Sequence, residues 1–303
     1  MGGFTDTNVG KQAGKCFVVT GANAGLGYRT SLVLARQGAR VVLACRDETK
    51  AMAAMANIRA HVHGADLGFL PLDQADLDSV KRAAQIVNDE PHIDVLVNNA
   101  GVMMPPLSRT AQGYELQFGV NHLGCFALTG LILAKLAERP GSRVVVTSSI
   151  AHKSGRIDWD DINADRHYGR YVRYAASKFA NAAFLVELDR RLRAAGSPVT
   201  AVGCHPGIAS TELMRHLGFE ALLFAVAKPF INTAAMGAWP TLHAAAGPVT
   251  PGGYYGPTGI GEWRGPSGPA KLSQAARDPA IGKRLWDMSV AMTGIDPSTM
   301  LTS

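Results

Sequence analysis

Short apolar runs alternate along the chain with longer stretches in which apolar residues recur three or four positions apart. The runs are Cys16–Thr20, Val41–Cys45, Gly68–Leu72, Ile93–Val97, Arg143–Thr147 and Thr200–Gly203. The stretches between them are Gly25–Gln37, Glu48–His61, Leu77–Asn88, Tyr114–Glu138 and Tyr174–Ala195. The first set predicts strands and the second predicts helices. The strand runs are apolar at odd and even positions alike, as a parallel sheet covered by helices on both faces requires. Strand–helix alternation sustained from Cys16 to Gly203, with no repeat and no linker, predicts an α/β doubly wound parallel sheet of the Rossmann type.

After Gly207 the pattern changes. Ser210–Ala246 reads as helices interrupted by Pro229 and Pro240. Gly247–Pro269 is rich in Gly and Pro and carries Tyr254, Tyr255 and Trp263. Such a segment either covers a ligand site or connects elements over the surface. The predicted organisation is an N-terminal tail over 1–13 and one domain over 14–303, in which 210–270 forms a helical cover.

Composition narrows the function classes. The 303 residues are 47% hydrophobic and 18% charged, which excludes a disordered chain. The 33 glycines follow no G-x-y period, which excludes collagen. The uninterrupted apolar stretch Ala221–Ala227 is far short of the roughly 20 residues of a membrane span. The net charge of +6 comes from scattered Lys and Arg. The densest run, Arg190, Arg191 and Arg193, reads as a solvated helix face, so no nucleic-acid partner is expected. Cys16, Cys45, Cys125 and Cys204 form no C-x-x-C pair and read as small buried hydrophobes in a reducing compartment. MGGFTDTNVG has no secretory pattern, and Asp6 breaks the myristoylation pattern, so a cytoplasmic location is expected.

The first chemical signal is Thr20–Gly27, which follows a strand and opens a helix. Its glycines, spaced G-x-x-x-G-x-G, let the backbone approach a pyrophosphate seated on the helix N-terminus. A P-loop reading of Gly10–Cys16 fails, because the glycine gap is short, Cys16 stands where Ser or Thr belongs, and the segment precedes the strand. Further along, Asn98-Asn99-Ala100-Gly101 ends one strand and Thr147-Ser148-Ser149 ends another. Asn121 lies on a helix, Tyr174-Ala175-Ala176-Ser177-Lys178 opens the next, and His205-Pro206-Gly207 with Thr211 follows the last strand run. Tyr174 and Lys178 are four apart and share a helix face.

In this order the motifs resemble the single-domain branch of the short-chain dehydrogenase/reductase family, over nearly the whole chain. Gly113-Tyr114-Glu115, Asn121–Gly124 and Ser148–His152 followed by Gly155-Arg156-Ile157 are similar to the retinol dehydrogenase and WW-domain oxidoreductase group, although no WW module is present. The resemblance implies a catalytic set of Asn121, Ser149, Tyr174 and Lys178. Asn121 would distort its helix and hold a water. Ser149, matching the second serine of the family motif, would bind the substrate oxygen. Tyr174 would act as general acid in reduction and as general base in oxidation. Lys178 would hold the nicotinamide ribose. Bringing the phenol from about 10 to near 7 takes about 4 kcal/mol, for which the ammonium and an oxidised nicotinamide are sources. The gap from Ser149 to Tyr174 holds 24 residues, longer than most of the family, and includes the insertion Arg156–Arg173.

The resemblance also implies cofactor contacts at Gly21, Asn23, Gly25, Leu26, Gly27, Asn99, Ala100, Gly101, Thr147, Tyr174, Lys178, Pro206, Gly207, Ile208 and Thr211, with Asp73 and Gln74 near the adenine. Arg46 ends the second strand, where a guanidinium pairs with a 2′-phosphate, so NADP(H) is expected, with Asp47 next to it as the competing group. No metal is expected, and His61-x-His63 reads as a solvated helix end. The implied substrate is a carbonyl or alcohol on a mainly apolar small molecule. The apolar run Glu212–Ile231, with Leu213, Phe219 and Phe224, reads as a lid, with core packing and peripheral membrane contact as its alternatives. Two further readings stay open: a non-catalytic NADP(H)-sensing protein and a sugar epimerase or dehydratase. A homo-oligomer joined through the helices of Asn121 and Tyr174 also stays open.

Overall fold

The computed structural model describes residues 3–208 and 232–301. Thr211 and the expected lid lie outside the described residues. The strands are β1 (Cys16–Thr20), β2 (Arg40–Cys45), β3 (Leu67–Pro71), β4 (Val95–Asn98), β5 (Arg143–Thr147), β6 (Thr200–Cys204), β7 (Tyr254–Pro257) and β8 (Ser267–Pro269). The described helices are α1 (Gly25–Arg36), α2 (Glu48–His61), α3 (Leu77–Asn88), α4 (Leu116–Ala137), α5 (Arg170–Ala194), α6 (Ala234–Ala246) and α7 (Pro279–Thr293).

One sheet runs β3-β2-β1-β4-β5-β6-β7-β8, parallel except for the antiparallel β8. Alternate strand residues supply the two cores. Val18, Leu96 and Val144 pack with α3, α4 and α5 on one face. Phe17, Val19, Val97 and Val145 pack with α1, α2 and α6 on the other. The register Val19↔Val97, Asn98↔Val146 and Thr147↔Cys204 brings the ends of β1, β4, β5 and β6 to one edge. The strand order reverses between β1 and β4, and such a switch point opens a crevice at the carboxyl edge.

Helix α4 is long and apolar enough to cross a membrane, with mean hydropathy 1.5, but 78% of that window is buried within the fold. It is the central core helix. Helix α7 lies over α4 and α5, with Trp286 against Phe126 at 5.2 Å and Phe184 at 6.1 Å between ring centres.

Four sequence expectations need correction. Pro240 does not interrupt a helix. It lies inside α6, whose buried Ala238, Leu242, Ala244 and Ala245 join the core and offset the lost backbone bond. Gly247–Pro269 supplies β7 and β8, because Tyr254 and Tyr255 pair in register with Gly203 and Cys204 and are buried. Helix α5 begins at Arg170, a turn before Tyr174, because buried Arg173 pairs with Asp161 of the insertion at 2.7 Å. The described part of the expected tail is anchored to the domain: Phe4 bridges to Ser267 and stacks on His243 at 4.4 Å, and Trp239 Nε1 donates to Asp6 at 2.9 Å.

The basic run on α5 is held in ion pairs, Arg190 and Arg191 with Glu187 and Arg193 with Asp189. All four cysteines are buried and free.

Candidate active site

A cleft of about 790 Å³ opens at the carboxyl edge of the sheet. That is toward the upper end of ligand-pocket sizes, roughly 300–1,000 Å³. Its floor begins at the turn between β1 and α1. Gly21 has φ +65°, and a Cβ there would stand 3.0 Å from Ala100 Cα. A Cβ on Gly27 would collide with Gly21 O and stand 2.6 Å from Asn99 Nδ2. Only glycine at both positions lets the turn press against the end of β4. Thr20 braces the same junction: its Oγ1 accepts from Asn99 N–H at 3.0 Å and Ala100 N–H at 2.9 Å, and its carbonyl accepts from Asn99 Nδ2 at 2.8 Å. Sequence reasoning quoted Thr20 only as the start of the motif; a hydroxyl at a buried strand end was the signal for its role.

Gly21, Asn23, Gly25, Leu26, Arg46, Asp73, Gln74, Asn99, Ala100 and Gly101 all line this half of the cleft, and Gly27 lies behind it. Arg46 is exposed and stands 3.9 Å from Asp73 Oδ2. Asp47 has a separate task. It caps α2, accepting from Lys50 N–H at 3.0 Å and pairing with Lys50 Nζ at 3.0 Å. Lys50 N–H and Nζ hold its carboxyl below the ordinary carboxylate range, against the small opposing effect of desolvation.

Thr147, Ser149, Tyr174, Lys178, Pro206, Gly207 and Ile208 line the other half. The Ser149 and Tyr174 side chains both line the cleft. Lys178 Nζ stands 6.0 Å from the centre of the Tyr174 ring and donates to Thr147 O at 3.3 Å. Ser148 does not reach the same position, because its Oγ donates back to Lys178 O at 2.7 Å. Burial raises the Tyr174 phenol above its usual 10, and the neighbouring Ser149 hydroxyl opposes this only in part. Burial also pushes the Lys178 ammonium down, to about 8. Within the protein alone desolvation dominates the phenol, and the lowering that the resemblance implies would need the oxidised nicotinamide as well.

Asn121 is buried but does not line the cleft. It sits in a π turn, Gly119–Leu123, so its helix is distorted as expected. Its side chain is committed to the protein: Oδ1 accepts from Val102 N–H at 2.7 Å, and Nδ2 donates to Val102 O at 3.0 Å and Ser177 Oγ at 2.9 Å. Ser177 Oγ donates in turn to Tyr174 O at 2.8 Å. Asn121 thus ties the loop after β4 to the helix that carries Tyr174.

Beyond this centre the cleft is walled by Val102, Met103, Met104, Val120, Ile150 and Trp263. Trp263 was visible in the sequence as an aromatic in a Gly/Pro-rich segment. Asn232, which donates to Pro206 O at 2.9 Å and so pins the His205–Ile208 loop, carried no sequence signal.

A family model described as short chain dehydrogenase matches residues 15–220. Human retinol dehydrogenase 12 is 40% identical over 297 residues, 97% of this chain and 90% of that protein. Human retinol dehydrogenase 11 is 40% identical over 93% of this chain and 86% of its own. The solved structure of an uncharacterised protein from Mycobacterium paratuberculosis superposes with a TM-score of 0.81 at 37% identity, covering 97% of this chain and 98% of that one. The glycine turn at the sheet's switch point and the match over nearly the whole length agree, and the chain belongs to the short-chain dehydrogenase family of oxidoreductases, on its retinol dehydrogenase-like side.

Proposed function

We propose that this protein transfers a hydride between NADP(H) and the carbonyl or alcohol carbon of a mainly apolar small molecule. The observation that carries the reading is the meeting of Ser149, Tyr174 and Lys178, from two separate elements, in one cleft facing the glycine turn. A nicotinamide dinucleotide, when bound, supplies or accepts the hydride. The N-terminus of α1 with Gly21–Gly27 suits its pyrophosphate, since the glycines leave backbone N–H groups open to an anion. Asp73 and Gln74 suit the adenine end, and Lys178 a ribose. Ser149 Oγ holds the substrate oxygen. Tyr174 gives that oxygen a proton in reduction and takes it back in oxidation. The raised phenol is protonated at neutral pH, as a proton donor must be. The methionine- and valine-lined wall favours an apolar substrate, and the two human relatives are named for retinol, an apolar alcohol.

The test is isotope transfer from NADPH labelled at the reacting carbon, with a panel of apolar aldehydes and ketones. The label is expected on the new carbinol carbon. NADPH that binds while no carbonyl takes up label would instead favour the sensor reading.

The 2′-phosphate preference rests on Arg46, with Lys50 beside it in the cleft wall and Asp47 occupied as a helix cap. Arg46→Ala is expected to weaken NADP(H) about tenfold or more and to leave NAD(H) unchanged, the scale of one charge-assisted contact. Equal dissociation constants for the two cofactors in the unmutated protein would refute the preference.

A further inference from the structure

Ser149 opens a short 3-10 turn, Ile150–Lys153, and is held on two sides. Its Oγ accepts from Ala151 N–H at 3.2 Å. Its carbonyl lies 2.6 Å from His152 Nδ1. His152 is fully buried, and its other ring nitrogen, Nε2, accepts from Ser273 N–H at 3.2 Å. A carbonyl only accepts and a backbone N–H only donates. The two bonds together therefore fix the neutral Nδ1–H tautomer and forbid a ring flip. Burial, the largest influence, also keeps this imidazole uncharged by lowering its pKa. The ring edge rests on Tyr254 of β7, 5.4 Å away at 74°. The next residue, Lys153, pairs with Glu262 at 2.7 Å. The turn that carries Ser149 is thus tied twice to the segment that follows β7.

We propose that His152 is a positioning residue for Ser149: locked between Ser273 N–H and the Ser149 carbonyl, it holds the turn that aims Ser149 Oγ at the substrate oxygen. The proposal rests on the oxidoreductase reading. His152 does not line the cleft, so its influence on turnover runs through Ser149. Displacing a positioned group by about 1 Å is enough to slow a reaction by up to ~100-fold.

Two near-isosteric variants separate this role from plain packing. The side-chain amide of Asn places an N–H where Nδ1 stands, and keeps the bond to Ser149 O. The longer Gln reaches the Nε2 position, keeps the bond from Ser273 N–H and gives up the one to Ser149. His152→Gln is expected to lower kcat ~10-fold, and His152→Asn to stay within ~3-fold of the unmutated protein, both with an unchanged NADPH dissociation constant. In a Ser149→Ala background the Gln change should cost nothing further, as coupled residues show in a double-mutant cycle. Equal kcat for the Asn and Gln variants, or a full additional loss in the Ser149→Ala background, overturns the proposal. A measurement free of variants is the nitrogen NMR signal of the His152 ring. The neutral Nδ1–H form is expected at about pH 6, and the other tautomer or an imidazolium overturns the proposal. An unmutated protein that transfers no hydride defeats the oxidoreductase reading itself, and this role with it.

Discussion

Tyr174→Phe is expected to cut turnover by ~100-fold or more, the scale of a lost general acid–base group, and to leave the NADPH dissociation constant nearly unchanged. The substitution removes one oxygen and keeps the ring, whose packing on α5 is buried. The turn that carries Ser149 stays tied by His152 and Lys153. The pH dependence follows from the direction of the shift. Burial raises the phenol, so at neutral pH it is protonated and reduction has its donor throughout. Oxidation needs the phenolate, so its rate should rise with pH. The protein alone places that rise above pH 10, and the positive charge of the oxidised nicotinamide is what must bring it lower. An ultraviolet titration should therefore find Tyr174 ionising at lower pH with oxidised cofactor than without it. Lys178→Ala should weaken the cofactor and, with the oxidised nicotinamide's charge less well held beside the phenol, move the rise upward. A Tyr174→Phe enzyme that keeps more than about a tenth of its turnover, with chemistry limiting, removes Tyr174 as the proton donor.

The sheet was legible because its strands are short apolar blocks between amphipathic helices, and period alone separates the two. β1 and β5 are found at the bounds that the pattern predicts, and the other four within two residues. The same logic missed β7 and β8, which are three or four residues long and rich in Gly and Pro, with no period to read. They form because Tyr254 and Tyr255 have a paired edge, β6, to add to, which is a tertiary fact. Pro240 misled for a related reason, since local propensity argues for a break where burial holds the helix together. In the site, residues whose type is tied to chemistry were readable: glycines at a turn, a tyrosine and a lysine one helical turn apart. Residues that act by holding others were not. Asn232, Gln117 and Glu262 are ordinary polar residues in the sequence, and only the fold shows that Gln117 Oε1 accepts from Met104 N–H at 2.8 Å and so fixes the cleft wall. The phenol's shift was the least readable quantity. Charge proximity can be inferred from spacing, whereas desolvation depends on everything packed around the ring.

Asn121→Leu is expected to produce the largest stability loss among these substitutions and to abolish most of the turnover. The residue is buried, and its amide makes three bonds to protein groups, two to Val102 and one to Ser177. Leucine has nearly the same shape and none of the polarity, so it creates no cavity. It leaves Val102 N–H without its acceptor and Val102 O without its donor. An orphaned group costs about 1–3 kcal/mol, so the two together imply about 2–6 kcal/mol, toward the lower end because Val102 is half-buried. For a domain of this size that is a fall of roughly 3–10 °C in Tm. The loss of turnover should exceed what the unfolded fraction explains, because Val102 lines the cleft and Ser177 holds the Tyr174 carbonyl. NADPH affinity at a temperature well below the new Tm should change little on the adenine side, where Arg46 and Asp73 are untouched. Thermal melting and kcat measured on the same preparation separate the two roles. A variant that melts normally yet is inactive assigns Asn121 a direct part in the chemistry and none in the scaffold. A variant that melts normally and turns over normally removes it from the site altogether.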